Sequence, residues 1–148
     1  MTSMSSEENN LGFCPVDRGL TRVGDRWSIL VLRDIDRGLT RYEQLRTSLG
    51  IAPNILSRRL SALTGAGLIE KRRYNERPPR DEYLLTEAGR DFLPILAAIG
   101  AWGAKHNGAG PLTRQIDVET GEAIRPMVVD ANTGAPIGSR PLRFEYPE

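Results

Sequence analysis

A mainly α-helical fold with a small β component is predicted by three features of this 148-residue chain. Between Leu39 and Leu63 two helix-length apolar patterns are separated by the short turn Gly50-Ile51-Ala52. From Leu68 to Leu85 two alternating segments flank Pro78-Pro79, and the segment is rich in arginine. After His106 the composition shifts to Gly and Pro, and Asp117, Thr120, Gly121 and Ile124 recur as Asp130, Thr133, Gly134 and Ile137. Helix, turn, helix and basic hairpin, in that order, describe a winged helix-turn-helix. A long C-terminal dimerisation helix and a short β-meander extension complete the expected architecture.

Each element has its own local signal. Cys14-Pro15-Val16-Asp17 opens a first helix, with proline at the first helical position, and Gly24 closes it. Trp27, Leu30, Val31 and Ile35 lie on one stripe of a second helix that ends at Gly38. Leu39-Thr40 is expected as a very short strand. Thr40 and Glu43 have the spacing of a capping box for a third helix, Arg41 to Leu49, with Tyr42, Leu45 and Leu49 facing inward. Pro53 opens the fourth helix, where Leu56, Leu60 and Leu63 recur at i, i+4 and i+7 and point at the core. Leu68 to Tyr74 reads as a strand, Asn75 to Pro79 as a hairpin tip, and Glu82 to Leu85 as the returning strand. Thr86-Glu87 caps a long helix reaching about His106, in which Pro94 predicts a kink or break. In the last forty or so residues each Thr-Gly falls where a hairpin turn needs a left-handed glycine. The expected organisation is a flexible tail over 1–12, the winged domain over 13–106 and the extension over 107–148.

Composition narrows the function. Twenty Lys and Arg against nineteen Asp and Glu give a net charge of +1, yet the charge is unevenly placed. From Asn54 to Arg80 seven basic residues (Arg58, Arg59, Lys71, Arg72, Arg73, Arg77, Arg80) face two acidic ones. A local basic patch on a near-neutral chain suits a specific nucleic-acid binder, though a solvated arginine-rich face has the same composition. No apolar run reaches the roughly 20 residues of a membrane span. Met1 to Asn10 is polar and acidic, unlike a signal peptide. One cysteine forms no internal disulfide and no cysteine metal cluster, so a cytoplasmic setting without metal or cofactor is expected. No nucleophile elbow or phosphate-cradling glycine loop is present, and the single histidine, His106, ends a helix. Enzyme activity is not expected.

With Leu56, Leu60 and Leu63 turned inward, 3.6 residues per turn point Asn54, Ser57, Arg58 and Ser61 outward. Small polar groups beside an arginine are what base-edge contact requires. Arg58 is the candidate for guanine, Asn54 for adenine or a phosphate, and Ser57 permits close approach. Ile55 meets a thymine methyl or covers the edge of the core. The backbone N–H groups that follow Pro53, with the positive end of the helix dipole, favour a phosphate. Arg59 lies nearer the apolar stripe and suits a structural salt bridge. Arg77 and Arg80 flank the prolines of the hairpin, and Arg73 alternates with Arg72, so the wing is expected on the DNA backbone or in a minor groove. Arg41 is either a phosphate contact or a partner of Glu43 or Asp36.

Residues 14–104 resemble the HxlR family of MarR-like bacterial winged-helix regulators. The matching blocks are Cys14-Pro15, Gly24-Asp25-Arg26-Trp27, Arg41-Tyr42-Glu43-Gln44-Leu45, and Arg77-Pro78-Pro79-Arg80 with Glu82-Tyr83, Leu85-Thr86 and Gly89 behind it. The resemblance implies a homodimeric transcription factor on double-stranded DNA with a palindromic operator. It is similar to repressors and activators that answer oxidants, electrophiles or metabolites. Ala52 departs from the family, which often places a serine before the proline; the lost cap is worth about 1 kcal/mol in typical hosts. The segment after His106 is a second departure, although Arg125-Pro126 through Asp130 and Gly134 resembles an extension of some members.

Leu20, Phe92, Leu96, Ile99 and Trp102 are the expected dimerisation residues, since the long helix is apolar over a wider face than one small domain needs. Cys14 is the candidate sensor of an oxidant or electrophile, with a small buried core residue as the alternative. Two other readings remain open on the sequence: a winged helix that binds protein, and a small-ligand-binding protein without DNA readout.

Overall fold

The computed structural model describes residues 12–148. The tail expected over 1–12, apart from Gly12, lies outside the described residues. The elements follow as α1 (Pro15–Val23), α2 (Arg26–Asp36), α3 (Tyr42–Leu49), α4 (Pro53–Gly65), β1 (Ile69–Glu76), β2 (Pro79–Leu85), α5 (Glu87–Asp91) and α6 (Leu93–His106). They divide into two compact units. One runs to the end of α5 and includes Tyr146–Glu148; the other is Phe92–Glu145.

The core of the first unit joins α2, α3 and α4. Leu56, Leu60 and Leu63 are buried as their spacing predicts, beside Val31, Leu32, Ile35, Leu45, Ile51, Leu68 and Ile69. The stripe expected on α2 is shifted: Leu32 is buried, whereas Trp27 and Leu30 are only half-buried. The reason is that α2 packs against α3, α4 and β2 together, so its buried face is turned and widened. This burial takes Asp34 with it, to 1% exposure. A buried carboxylate must be paired. Arg33 donates to Asp34 Oδ1 through Nε at 2.9 Å and Nη2 at 2.8 Å, and Ser48 Oγ donates to Oδ2 at 2.7 Å.

Caps set where the helices begin. The Asp25 carboxylate accepts from Ser28 N–H at 2.9 Å and starts α2. The start of α3 is one residue later than its capping-box pattern predicts. Gln44 Oε1, not Glu43, accepts from the backbone N–H groups of Thr40 and Arg41, at 3.2 and 3.1 Å. Thr40 is held in the wing instead, its carbonyl accepting from Tyr83 N–H at 2.8 Å. That single bond is what the expected Leu39-Thr40 strand amounts to. Tyr42 is half-buried, and its hydroxyl donates to the Pro53 carbonyl at 3.1 Å, joining α3 to the first turn of α4.

β1 and β2 are antiparallel, with Ile69 opposite Leu85, Arg72 opposite Glu82 and Glu76 opposite Pro79. The strands are longer than expected and the tip is shorter, Arg77-Pro78. A bulge between Arg73 and Asn75 absorbs the extra residue, Tyr74. At the wing root Thr86 Oγ1 donates to the Gly67 carbonyl at 2.6 Å and accepts from Gly89 N–H at 3.2 Å. Gly89 is buried there, and a Cβ on it would collide with the Leu68 carbonyl oxygen. Only glycine allows this approach.

The long helix predicted from Glu87 to His106 is broken at Phe92, as Pro94 requires. Pro94 falls in the first turn of α6, where its missing N–H has no helical partner to lose. In the second unit α6 exposes Ile95, Ile99 and Trp102, and the ring of His106 lies 5.2 Å from that of Trp102. The meander is reduced to two hairpin turns, each closed by one bridge: Ile116 with Ala123 and Val129 with Pro136. The turns repeat atom for atom. Asp117 and Asp130 each accept from the N–H two residues on at 2.9 Å, and Gly121 and Gly134 have φ of 76° and 72°. The repeat in the sequence is thus one turn used twice.

Candidate nucleic-acid interface

Among the described residues, no ion pair or side-chain partner covers the outward face of α4. Pro53, Asn54, Ser57, Arg58 and Ser61 are exposed, and Ile55 is half-buried. Among the described residues Arg58 donates only to the Asn54 carbonyl one turn back, through Nε at 3.4 Å, a long and exposed bond. Ala52 supplies no side-chain cap, Pro53 has no N–H, and the N–H groups of Ile55 and Leu56 both donate to the Ala52 carbonyl at 3.0 Å, which leaves the Asn54 N–H, among the described residues, to donate outward. Arg59 is set apart from this face. Its Nη2 lies 2.7 Å from Asp25 Oδ2, the carboxylate that caps α2. The structural salt bridge expected of Arg59 is therefore present, and it ties α4 to the start of α2.

The wing is organised differently. Lys71 and Arg73 share one face and converge on Asp81, at 3.7 and 3.3 Å, with Glu76 also 3.9 Å from Arg73. Arg72, on the other face, pairs with Glu82 at 2.7 Å. That bond, together with the charge of Arg72, the Thr40 hydroxyl and the nearby Arg41, holds the Glu82 carboxyl below the ordinary glutamate range against the opposing effect of desolvation. Three of the wing's cations are thus offset by the wing's own acids. Arg77 and Arg80 are exposed and form no ion pair with a described residue.

Arg41 takes neither partner proposed for it. Its guanidinium lies over the ring of Tyr74, 4.3 Å from the centroid, while Glu43 pairs with Arg46 at 3.1 Å. Sequence reasoning missed Tyr74 and Glu82. With the two-residue tip Arg77-Pro78, a regular ladder would set Glu82 opposite Arg73; the bulge at Tyr74 is what brings it opposite Arg72, and the alternation of the sequence carries no mark of that bulge. Cys14 is exposed at the N-cap of α1. Leu20, Ile99 and Trp102 are exposed, and Phe92 and Leu96 are half-buried. Among the described residues no cluster of three or more His, Cys, Asp or Glu is arranged to hold a metal ion, and no helix is long and apolar enough to cross a membrane.

A helix-turn-helix with an outward polar helix face and a basic hairpin beside it is the architecture of a DNA-binding transcriptional regulator. The chain belongs to the HxlR family, whose HxlR-like helix-turn-helix domain matches residues 22–110. It is 36% identical over 127 residues to the HTH-type transcriptional regulator Rv3095 of Mycobacterium tuberculosis, covering 84% of this chain and 80% of that one. The crystal structure of the transcription factor PA1607 superposes with a TM-score of 0.84 at 33% identity, over 95% of this chain and 99% of that one. The oxidised form of the redox regulator HypR matches with a TM-score of 0.59 at 29% identity, over 64% of this chain and 98% of that one. These relatives are transcriptional regulators, not enzymes, in keeping with the absence of catalytic motifs in the sequence.

Proposed function

We infer that the chain is a cytoplasmic regulator that binds a palindromic operator as a homodimer, α4 in the major groove and the wing on the backbone or in the minor groove. The observation that carries this reading is the outward face of α4, where Asn54, Ser57 and Arg58 are exposed and form no ion pair with a described residue. Arg58 reads guanine, and Asn54 pairs with adenine or braces a phosphate. Pro53, Ile55 and Ser61 border the contact. Arg77 and Arg80 carry the backbone contacts of the wing, Arg41 adds one from the start of the motif, and Arg73, held by Asp81, contributes less. The domain over 13–106 performs this binding, and 107–148 is an extension attached to it.

Two further parts of the reading have their own support. Leu20 on α1 and Ile99 and Trp102 on α6, at 53%, 48% and 68% exposure, are large apolar side chains of the kind that a second copy covers. The exposure of Cys14, with the redox function named for HypR, supports an oxidant or electrophile as effector. Selection of bound fragments from random duplexes tests the core of the proposal: recovery of a two-fold symmetric sequence is expected, and recovery of none refutes it. On the recovered site a dimer that neutralises about eight phosphates shows a log–log salt slope of about −7.

A further inference from the structure

We propose that Tyr74 is a positioning residue that sets the wing against the helix-turn-helix and aims Arg41 at the DNA backbone. The proposal rests on the DNA-binding reading above and adds a residue to it.

The wing is a two-stranded hairpin, which in isolation is barely stable and flexes along its length. Its backbone is tied to the start of α3 by the Tyr83 N–H to Thr40 carbonyl bond. Nearer the tip the ties are made by side chains, and they fall on one face. Arg72 of β1 faces Glu82 of β2, and Arg41, whose charge acts on Glu82, lies over Tyr74, which puts Tyr74 on that same side. Thr40 Oγ1 lies 3.4 Å from Glu82, and the Arg41 guanidinium lies over Tyr74. The bulge falls at Tyr74 itself, a device that re-aims one side chain out of a regular ladder.

A guanidinium held over a ring is attracted by the ring face and uses no N–H···acceptor bond for that contact. Arg41 therefore rests on Tyr74 and still donates in the plane of its fork, while its chain is held to one direction. Arg80 is two residues from Glu82 on β2 and so lies on the same side of the wing as Glu82. Tyr74 thus holds one cation in place on the side of the wing that also carries Arg80, and a preset direction reduces the ordering needed when Arg41 meets a phosphate.

The test uses the full chain and the duplex that selection recovers, with the variants Tyr74→Leu, Tyr74→Phe and Arg41→Ala. A stacking contact is worth about threefold, so a dimer with two of them loses about tenfold in affinity in Tyr74→Leu. Tyr74→Phe keeps the ring and stays within about twofold of the parent. Arg41→Ala in the Tyr74→Leu background costs little more, because the two residues act as one unit. In the free protein, Tyr74→Leu speeds amide exchange at Arg73 and Asn75 while the melting temperature of the core stays close to that of the parent. Equal DNA affinity in Tyr74→Leu and the parent, or independent losses for Tyr74 and Arg41, overturns the proposal while the regulator reading stands. A parent chain that recovers no duplex overturns the regulator reading and the role of Tyr74 with it.

Discussion

The recognition helix and the wing both carry arginines, yet they hold them in opposite ways. On α4, Arg58 points outward with no firm partner, and the one arginine that turns inward, Arg59, is fixed 2.7 Å from Asp25. In the wing, Lys71, Arg72 and Arg73 are each met by an acid of the same hairpin. On the proposed reading the helix keeps a side chain free to choose a base, while the wing commits most of its charge to its own shape. The charge that the wing would offer a duplex under that reading is concentrated at Arg77 and Arg80. A basic segment counted from sequence overstates the field that reaches the DNA, because ion pairs across a hairpin cancel part of it.

The largest expected effect removes the support shared by both regions. Leu60→Ala opens a cavity beneath α4 and costs about 2–5 kcal/mol of stability, read by chemical denaturation. DNA binding falls with the folded fraction, so neither region survives it. Arg58→Ala sharpens the contrast: about 1–3 kcal/mol is lost on the recovered site, and one base position becomes degenerate when selection is repeated. Retained preference at every position would move base reading away from Arg58. Arg77→Ala has a different signature. Affinity falls alike on all duplexes, and the salt slope becomes shallower by about one for each contact removed. Arg73→Ala changes the slope less than Arg77→Ala does, since Asp81 already offsets its charge; equal changes would show that the ion pairs of the wing open on binding. The smallest effect is on pH. The Glu82 carboxyl is held below its ordinary range chiefly by the hydrogen bond from Arg72. Its contribution to wing order is complete above the ordinary glutamate pKa and is lost as pH falls through the lowered value of the folded state. Amide exchange along β2, corrected for intrinsic rate, accelerates in that acid range, and Glu82→Gln removes the dependence.

The parts legible in the sequence are those written in short-range pattern. Leu56, Leu60 and Leu63 repeat with the helix period, so the exposed face of α4 follows from three positions and one angle per residue. Gly121 and Gly134 mark their turns because a left-handed backbone excludes most other residues. Pro94 marks the interruption near it for an equally local reason. The start of α3 was less legible. Thr40 and Glu43 have the right spacing for a capping box, but Thr40 is claimed by Tyr83, a partner 43 positions away.

By itself, then, the sequence determined the order of elements, the inward leucines and the outward polar residues of α4, because each depends on neighbours within a turn or two of chain. Only the tertiary structure decided which cations are spoken for. Asp25 with Arg59, Glu82 with Arg72 and Tyr74 with Arg41 join residues from separate elements. Such pairs depend on strand register and helix packing, and a shift of one residue in the hairpin would turn each side chain to the opposite face.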